Sequence, residues 1–99
     1  MARIYYNTEA GFAEHSIYTI DAEIKENRLV LNFNEEDYSY SQLASAETKK
    51  ETFDIDETEI TRTFVYEAIC KVFKGDICRS YGWPEKEEDI DISGLIHKR

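Results

Sequence analysis

Tyr18-Thr19-Ile20-Asp21-Ala22-Glu23-Ile24-Lys25-Glu26-Asn27-Arg28-Leu29-Val30-Leu31-Asn32-Phe33 decides the fold. In its first half, Tyr18, Ile20, Ala22 and Ile24 alternate with Thr19, Asp21 and Glu23. In its second half, Leu29, Leu31 and Phe33 alternate with Val30 and Asn32. Successive side chains of a strand point to opposite faces, so each apolar set lines one sheet face and the other set meets water. The spacing predicts strands over 16–24 and 28–34. Lys25-Glu26-Asn27-Arg28 joins them, and Asn27 takes a left-handed backbone at modest cost, so the pair reads as a hairpin. The face turned to water would carry Thr19, Asp21, Glu23, Val30 and Asn32, together with Asp54 and Asp56.

Working outward, residues 2–7 read as a short edge strand, and Asn7 to Glu14 as a loop turning at Gly11. Tyr38-Ser39-Tyr40-Ser41 alternates and suggests a third strand. Gln42 to Lys50 shows no clear period and reads as a helical turn or a loop. Thr52-Phe53-Asp54-Ile55-Asp56 reads as a short strand with Phe53 and Ile55 facing inward.

A helix is expected over about 57–74. Asp56 caps it in this reading, with Glu59 completing a capping box. Glu57 and Glu59 suit the positive end of the helix dipole, and Lys71 and Lys74 the negative end. Ile60, Phe64, Val65, Ala68, Ile69, Val72 and Phe73 form one apolar face, and Gly75 supplies the stop. Beyond the turn-rich stretch 76–84, the alternation of Ile90 and Ile92 with Asp89 and Asp91 favours a last strand over a helical turn begun at Pro84. The expected fold is therefore α+β: an antiparallel meander of three to five strands, with one main amphipathic helix packed on one face, in a single domain over 1–99.

Twenty-one acidic residues against twelve basic ones leave a net charge of −9. Hydrophobic residues at 41% and aromatics at 13% are too many for a disordered chain, so this is an acidic globular protein. Such a charge repels nucleic acid and acidic membranes and attracts basic protein surfaces. No apolar run approaches a membrane span or a secretion signal, so a cytoplasmic location is expected.

The acid is clustered beside aromatics. Glu35, Glu36 and Asp37 run into Tyr38 and Tyr40, while Glu85, Glu87, Glu88 and Asp89 follow Tyr81 and Trp83. Aromatic anchors ringed by charge are the currency of protein interfaces, and all these residues are candidates for partner binding. Trp83 has a second reading, as a plug for the open end of the core, because tryptophan is highly buried on average.

Chemistry finds less support. Cys70, Cys78, His15 and His97 lack the paired spacing of a zinc site and match no nucleophile signature. Asp54-Ile55-Asp56 lacks the glycine and distal glutamate of a calcium loop. No glycine-rich phosphate loop and no basic stripe is present. No catalytic residue, metal site or cofactor is expected.

In size and acidity the chain resembles small phage-encoded inhibitors of host defence nucleases, including anti-CRISPR proteins, and immunity proteins against nuclease toxins. The resemblance is one of kind and carries over no motif. It implies a non-enzymatic inhibitor of a basic nuclease or nucleic-acid-binding complex, with carboxylates standing where phosphates normally sit. The alternative is a small assembly module, a homodimer paired through a sheet edge such as Arg3 to Asn7. A metal-dependent regulator or small enzyme is the remaining reading, and it requires Cys78, His15 and His97 to converge.

Overall fold

The computed structural model describes residues 1–11, 13–55, 60–72 and 83–96. Four strands follow one another: β1 (Ala2–Ala10), β2 (Glu14–Lys25), β3 (Arg28–Ser39) and β4 (Gln42–Asp54). They pair antiparallel in the order β1-β2-β3-β4, a simple meander. A helix α1 (Arg62–Val72), a 3-10 turn (Glu87–Asp89) and a short helix α2 (Ser93–Ile96) follow. The described chain is mostly antiparallel sheet, with the one longer helix that the sequence predicts.

The β2–β3 hairpin turns at Glu26 and Asn27, with φ of 54° and 63°. Both central residues are left-handed, as the tight turn matching strand twist requires. The register sets Ile20 opposite Phe33, Ala22 opposite Leu31 and Ile24 opposite Leu29, so the two alternating apolar sets share one face. We call this the inner face. Ile24 departs from expectation at 42% exposed, because it lies next to the turn. Thr19 and Val30, expected to meet water on the outer face, are only 7% and 8% exposed.

One hydrophobic cluster joins Ile4, Ile20, Ala22, Leu29, Leu31 and Phe33 of the strands to Val65, Ala68 and Ile69 of α1. Ile60, Trp83, Ile90 and Ile92 belong to it too. The helix starts later than the periodicity predicts. Ile60 and Thr61 precede it, and the Thr61 Oγ1 accepts a hydrogen bond from the Phe64 N–H at 3.1 Å, so Thr61 is the cap. The expected cap at Asp56, the acids Glu57 and Glu59, and the ending at Phe73, Lys74 and Gly75 lie outside the described residues. Phe64 and Val72 pack partly buried against the cluster, and Lys71 sits in the last turn, as expected.

Four segments differ from the sequence reading. Residues 7–10 continue β1, and residues 42–50 belong to β4. Neither stretch buries one face regularly, so the alternation that betrays a strand is missing. Tyr38 and Ser39 end β3, whereas Tyr40 and Ser41 form its turn, with φ of 51° and 69°. Last, residues 90–92 form no strand. The predicted alternation is real, since Ile90 and Ile92 are buried and Asp91 is exposed. Here, however, it lines up one backbone bond, from the Asp91 N–H to the Ile4 carbonyl at 3.0 Å.

Candidate functional site

Apolar cover ends part-way along the sheet. Phe33 is the last buried residue of β3; positions 34–39 are half-buried, and Gln42 to Lys50 of β4 are exposed throughout. Glu35, Glu36 and Asp37 fall in this distal half, and strand alternation divides them. Glu35 and Asp37 continue the inner face beyond Phe33, whereas Glu36 and Tyr38 lie on the outer face. The three acids therefore form two patches and not the single cluster the sequence suggests.

On the inner face, Glu47 of β4 stands opposite Glu35 in the register. Asp37 accepts hydrogen bonds from the Ser16 hydroxyl at 2.6 Å and the Ser45 hydroxyl at 3.0 Å. These bonds, the one from Ser16 foremost, hold its carboxyl below the usual range. Glu35 moves the other way: desolvation raises it first, and the charges of Asp37 and Glu47 add to the rise. Ser16, Ser45 and Glu47 were not legible as site residues, because only the register brings them to Glu35 and Asp37.

On the outer face, the Tyr38 hydroxyl donates to Glu36 Oε1 at 3.2 Å. The Tyr38 ring stacks on His15, with centroids 4.8 Å apart and planes 2° from parallel. Beside them runs a shallow trough of about 340 Å³, bordered by Arg3, Tyr6, Asn34, Glu36 and Thr48. Its floor is a polar ladder across all four strands. Arg3 grips Asp21 through Nε at 2.9 Å and a terminal nitrogen at 3.3 Å. The Asn34 amide donates to Thr19 at 3.1 Å and Asp21 at 3.2 Å, and Thr48 donates to Asn34 at 2.9 Å. The ladder gives the buried Thr19 hydroxyl a partner, the Asn34 amide, and Tyr6 stands opposite Thr19 on β1.

At the tip, Tyr40 is 78% exposed. Its N–H donates to the Ala13 carbonyl at 2.9 Å, which ties the β3–β4 turn to the end of the β1–β2 hairpin. Tyr38, near the end of β3, thus stands beside Glu36, and Tyr40 lies exposed in the braced turn that follows.

The second acidic cluster is tied into local structure, and the tryptophan beside it is not at the surface. Trp83 is 8% exposed and packs on Tyr18 and Phe33, with centroids 5.5 Å and 5.7 Å away, so it is a core residue and not a surface anchor. The plug reading of Trp83 is the right one. Glu87 accepts from the Thr63 hydroxyl at 2.8 Å, which clips the 3-10 turn to α1. The Asp89 carboxylate accepts from the backbone N–H groups of Glu85 and Lys86, each at 3.3 Å. The Glu85 carbonyl receives the Tyr66 hydroxyl at 2.6 Å. Glu85, Glu87 and Asp89 therefore take part in local structure, and Glu88 is an exposed acid beside them. Tyr81 lies outside the described residues.

Cys70 is free and exposed. Cys78 and His97, needed for the convergence with His15, lie outside the described residues. No group of three His, Cys, Asp or Glu placed to hold a metal occurs among the described residues. Among them, too, no helix is long and apolar enough to cross a membrane.

Compared with protein-family models, curated proteins and solved structures, the chain matches none.

Proposed function

We propose that this protein is a non-enzymatic binder of a basic protein surface, acting as an inhibitor of a nuclease or nucleic-acid-binding complex. In this reading α1 covers the core half of the sheet's inner face, and the distal half is left for the partner. Glu35, Glu36, Asp37 and Glu47 supply the charge, and Tyr38 and Tyr40 the anchors. Opposite charge steers encounter and fixes orientation, while buried aromatics supply most of the holding energy.

The observation that carries the reading is Tyr40. An exposed aromatic occupies a left-handed turn position, φ 51°, where asparagine or glycine sits without strain. Backbone strain of this kind concentrates at functional sites, and here it lies three residues beyond Asp37.

The test is a tagged pull-down from lysate of the source cells at low and high salt, with the wild type and a Glu35→Lys, Glu36→Lys, Tyr40→Asn variant. Asp37 is left intact, because its bonds to Ser16 and Ser45 brace three strands. The wild type is expected to retain a basic nuclease or nucleic-acid-binding complex at low salt and release it at high salt. The folded variant should lose it at both. Equal capture by the variant, or capture indifferent to salt, removes the proposal.

A further inference from the structure

The two edges of the sheet are not equivalent. Strand β1 is irregular at its start, with a register shift between Arg3 and Tyr5. Its Ile4 carbonyl is taken by Asp91, and Gly94 of α2 comes so near that an added Cβ would lie 2.8 Å from the Ala2 Cβ. The edge from Arg3 to Asn7, singled out from sequence as the pairing edge, is thus partly covered. Strand β4 is the opposite case. It has β3 on one side and no described strand on the other. Its register with β3 is unbroken from Ser45 to Asp54, and it contains no proline. A long, regular, exposed edge offers alternate N–H and C=O groups to another strand.

We infer that β4 pairs antiparallel with β4 of a second copy of this chain, about a two-fold axis at Thr48, to give a continuous eight-stranded sheet. The occupant is identified by charge. A two-fold axis normal to the sheet preserves its faces, and opposed residues of antiparallel strands share a face. The axis must therefore set one residue directly opposite its own copy, and not fall between two successive positions. Centred on Thr48, the register sets Glu47 opposite Lys49 of the second copy, twice by symmetry. It also sets Ala46 opposite Lys50 and Ser45 opposite Glu51. Centring on Glu47, Lys49 or Lys50 opposes that residue to its own like charge, and centring on Ala46 creates no opposite-charge pair. Among these centres Thr48 alone gives complementary pairs and no like-charge pair. Lysines on an edge strand ordinarily discourage pairing. Here Lys49 already lies 3.8 Å from Glu51 of its own strand, and the dimer gives it a second carboxylate.

This inference does not rest on the basic partner, because it concerns the purified protein alone. Sedimentation equilibrium over a wide concentration range should show a monomer–dimer equilibrium. Lys49→Glu should raise the dissociation constant about tenfold, since both cross-strand pairs become repulsive. Adding Glu47→Lys should restore dimerisation, with circular dichroism confirming that both variants fold. With Cys70 and Cys78 replaced by serine, Thr48→Cys should form a disulfide-linked dimer on mild oxidation. Ala46→Cys, which would face Lys50, should do so much more slowly. A monomer even at millimolar concentration overturns the inference and leaves the edge for a strand of another protein. A dimer indifferent to the charge exchange, or equal crosslinking at positions 46 and 48, overturns it as well.

Discussion

The indole of Trp83 stands at 67° to the ring of Phe33, with centroids 5.7 Å apart. Tyr18 closes the same group at 5.5 Å. Edge-on aromatic contacts add to the burial energy of the rings themselves. Trp83→Ala should therefore cost about 3–5 kcal/mol in a urea or thermal titration, as for other large-to-small core changes. As the one tryptophan of the chain, Trp83 also reports on folding directly. Its emission should be blue-shifted in the native state and move to the red on unfolding. An unchanged thermal midpoint in Trp83→Ala would return the residue to the surface.

What the sequence disclosed, and what it hid, follows from burial. The hairpin of β2 and β3 was legible because Ile20, Ala22, Leu29, Leu31 and Phe33 are buried on one face while most of their neighbours are not. Val65, Ala68 and Ile69 marked the helix for the same reason. Strand β4 was hidden because Gln42 to Lys50 are exposed on both faces, and nothing forces alternation there. Asp37 could be picked out as an acid next to aromatics. Its hold on Ser16 and Ser45 depends on register, which propensity does not encode. Trp83 could be read either way, since composition says nothing about which rings it meets.

Acidification should act on the two inner-face carboxyls in opposite senses. Asp37 is held below its unfolded value, so it stabilises the fold above the unfolded pKa, and that contribution is lost as pH falls through the folded one. Glu35 is raised above its unfolded value. Its contribution is fully present below the unfolded pKa and is lost as pH rises through the folded one. On acidification Glu35 takes its proton first, which favours the fold, and Asp37 takes its proton later, which opposes it. Removing the leading cause at Asp37 with Ser16→Ala should move its midpoint back toward an ordinary carboxylate, as read by carboxyl NMR titration. The destabilisation by Ser16→Ala should be largest at neutral pH and shrink once Asp37 is protonated. An Asp37 midpoint that does not move would place the cause elsewhere.

Gly94 is where α2 meets the sheet. A Cβ at this position would lie 2.8 Å from the Ala2 Cβ, and a short alanine side chain offers no flexible end to swing away. Gly94→Ala should therefore force α2 and β1 apart and cost about 1–3 kcal/mol, the usual range for overpacking. Gly94→Ala in an Ala2→Gly background should recover most of the loss. Additive effects of the two changes in thermal denaturation would show that the contact is not tight.

Tyr40 and Ser41 allow stability and binding to be separated. Both residues are left-handed, φ 51° and 69°, and neither is a residue that adopts this geometry readily. The Tyr40→Asn, Ser41→Gly chain should be more stable by about 1 kcal/mol, because Asn-Gly is the favoured pair for a two-residue hairpin turn. Tyr40 is 78% exposed, so its ring takes little packing with it when it leaves. If Tyr40 serves only the fold, the variant gains stability and binds as before. If it anchors a partner, stability rises while capture falls by about tenfold or more, as for loss of an interface tyrosine. We expect the second outcome. A variant that is more stable and binds unchanged would show that the tip of the hairpin is strained for no binding purpose, and would move the contact surface to the carboxylates alone.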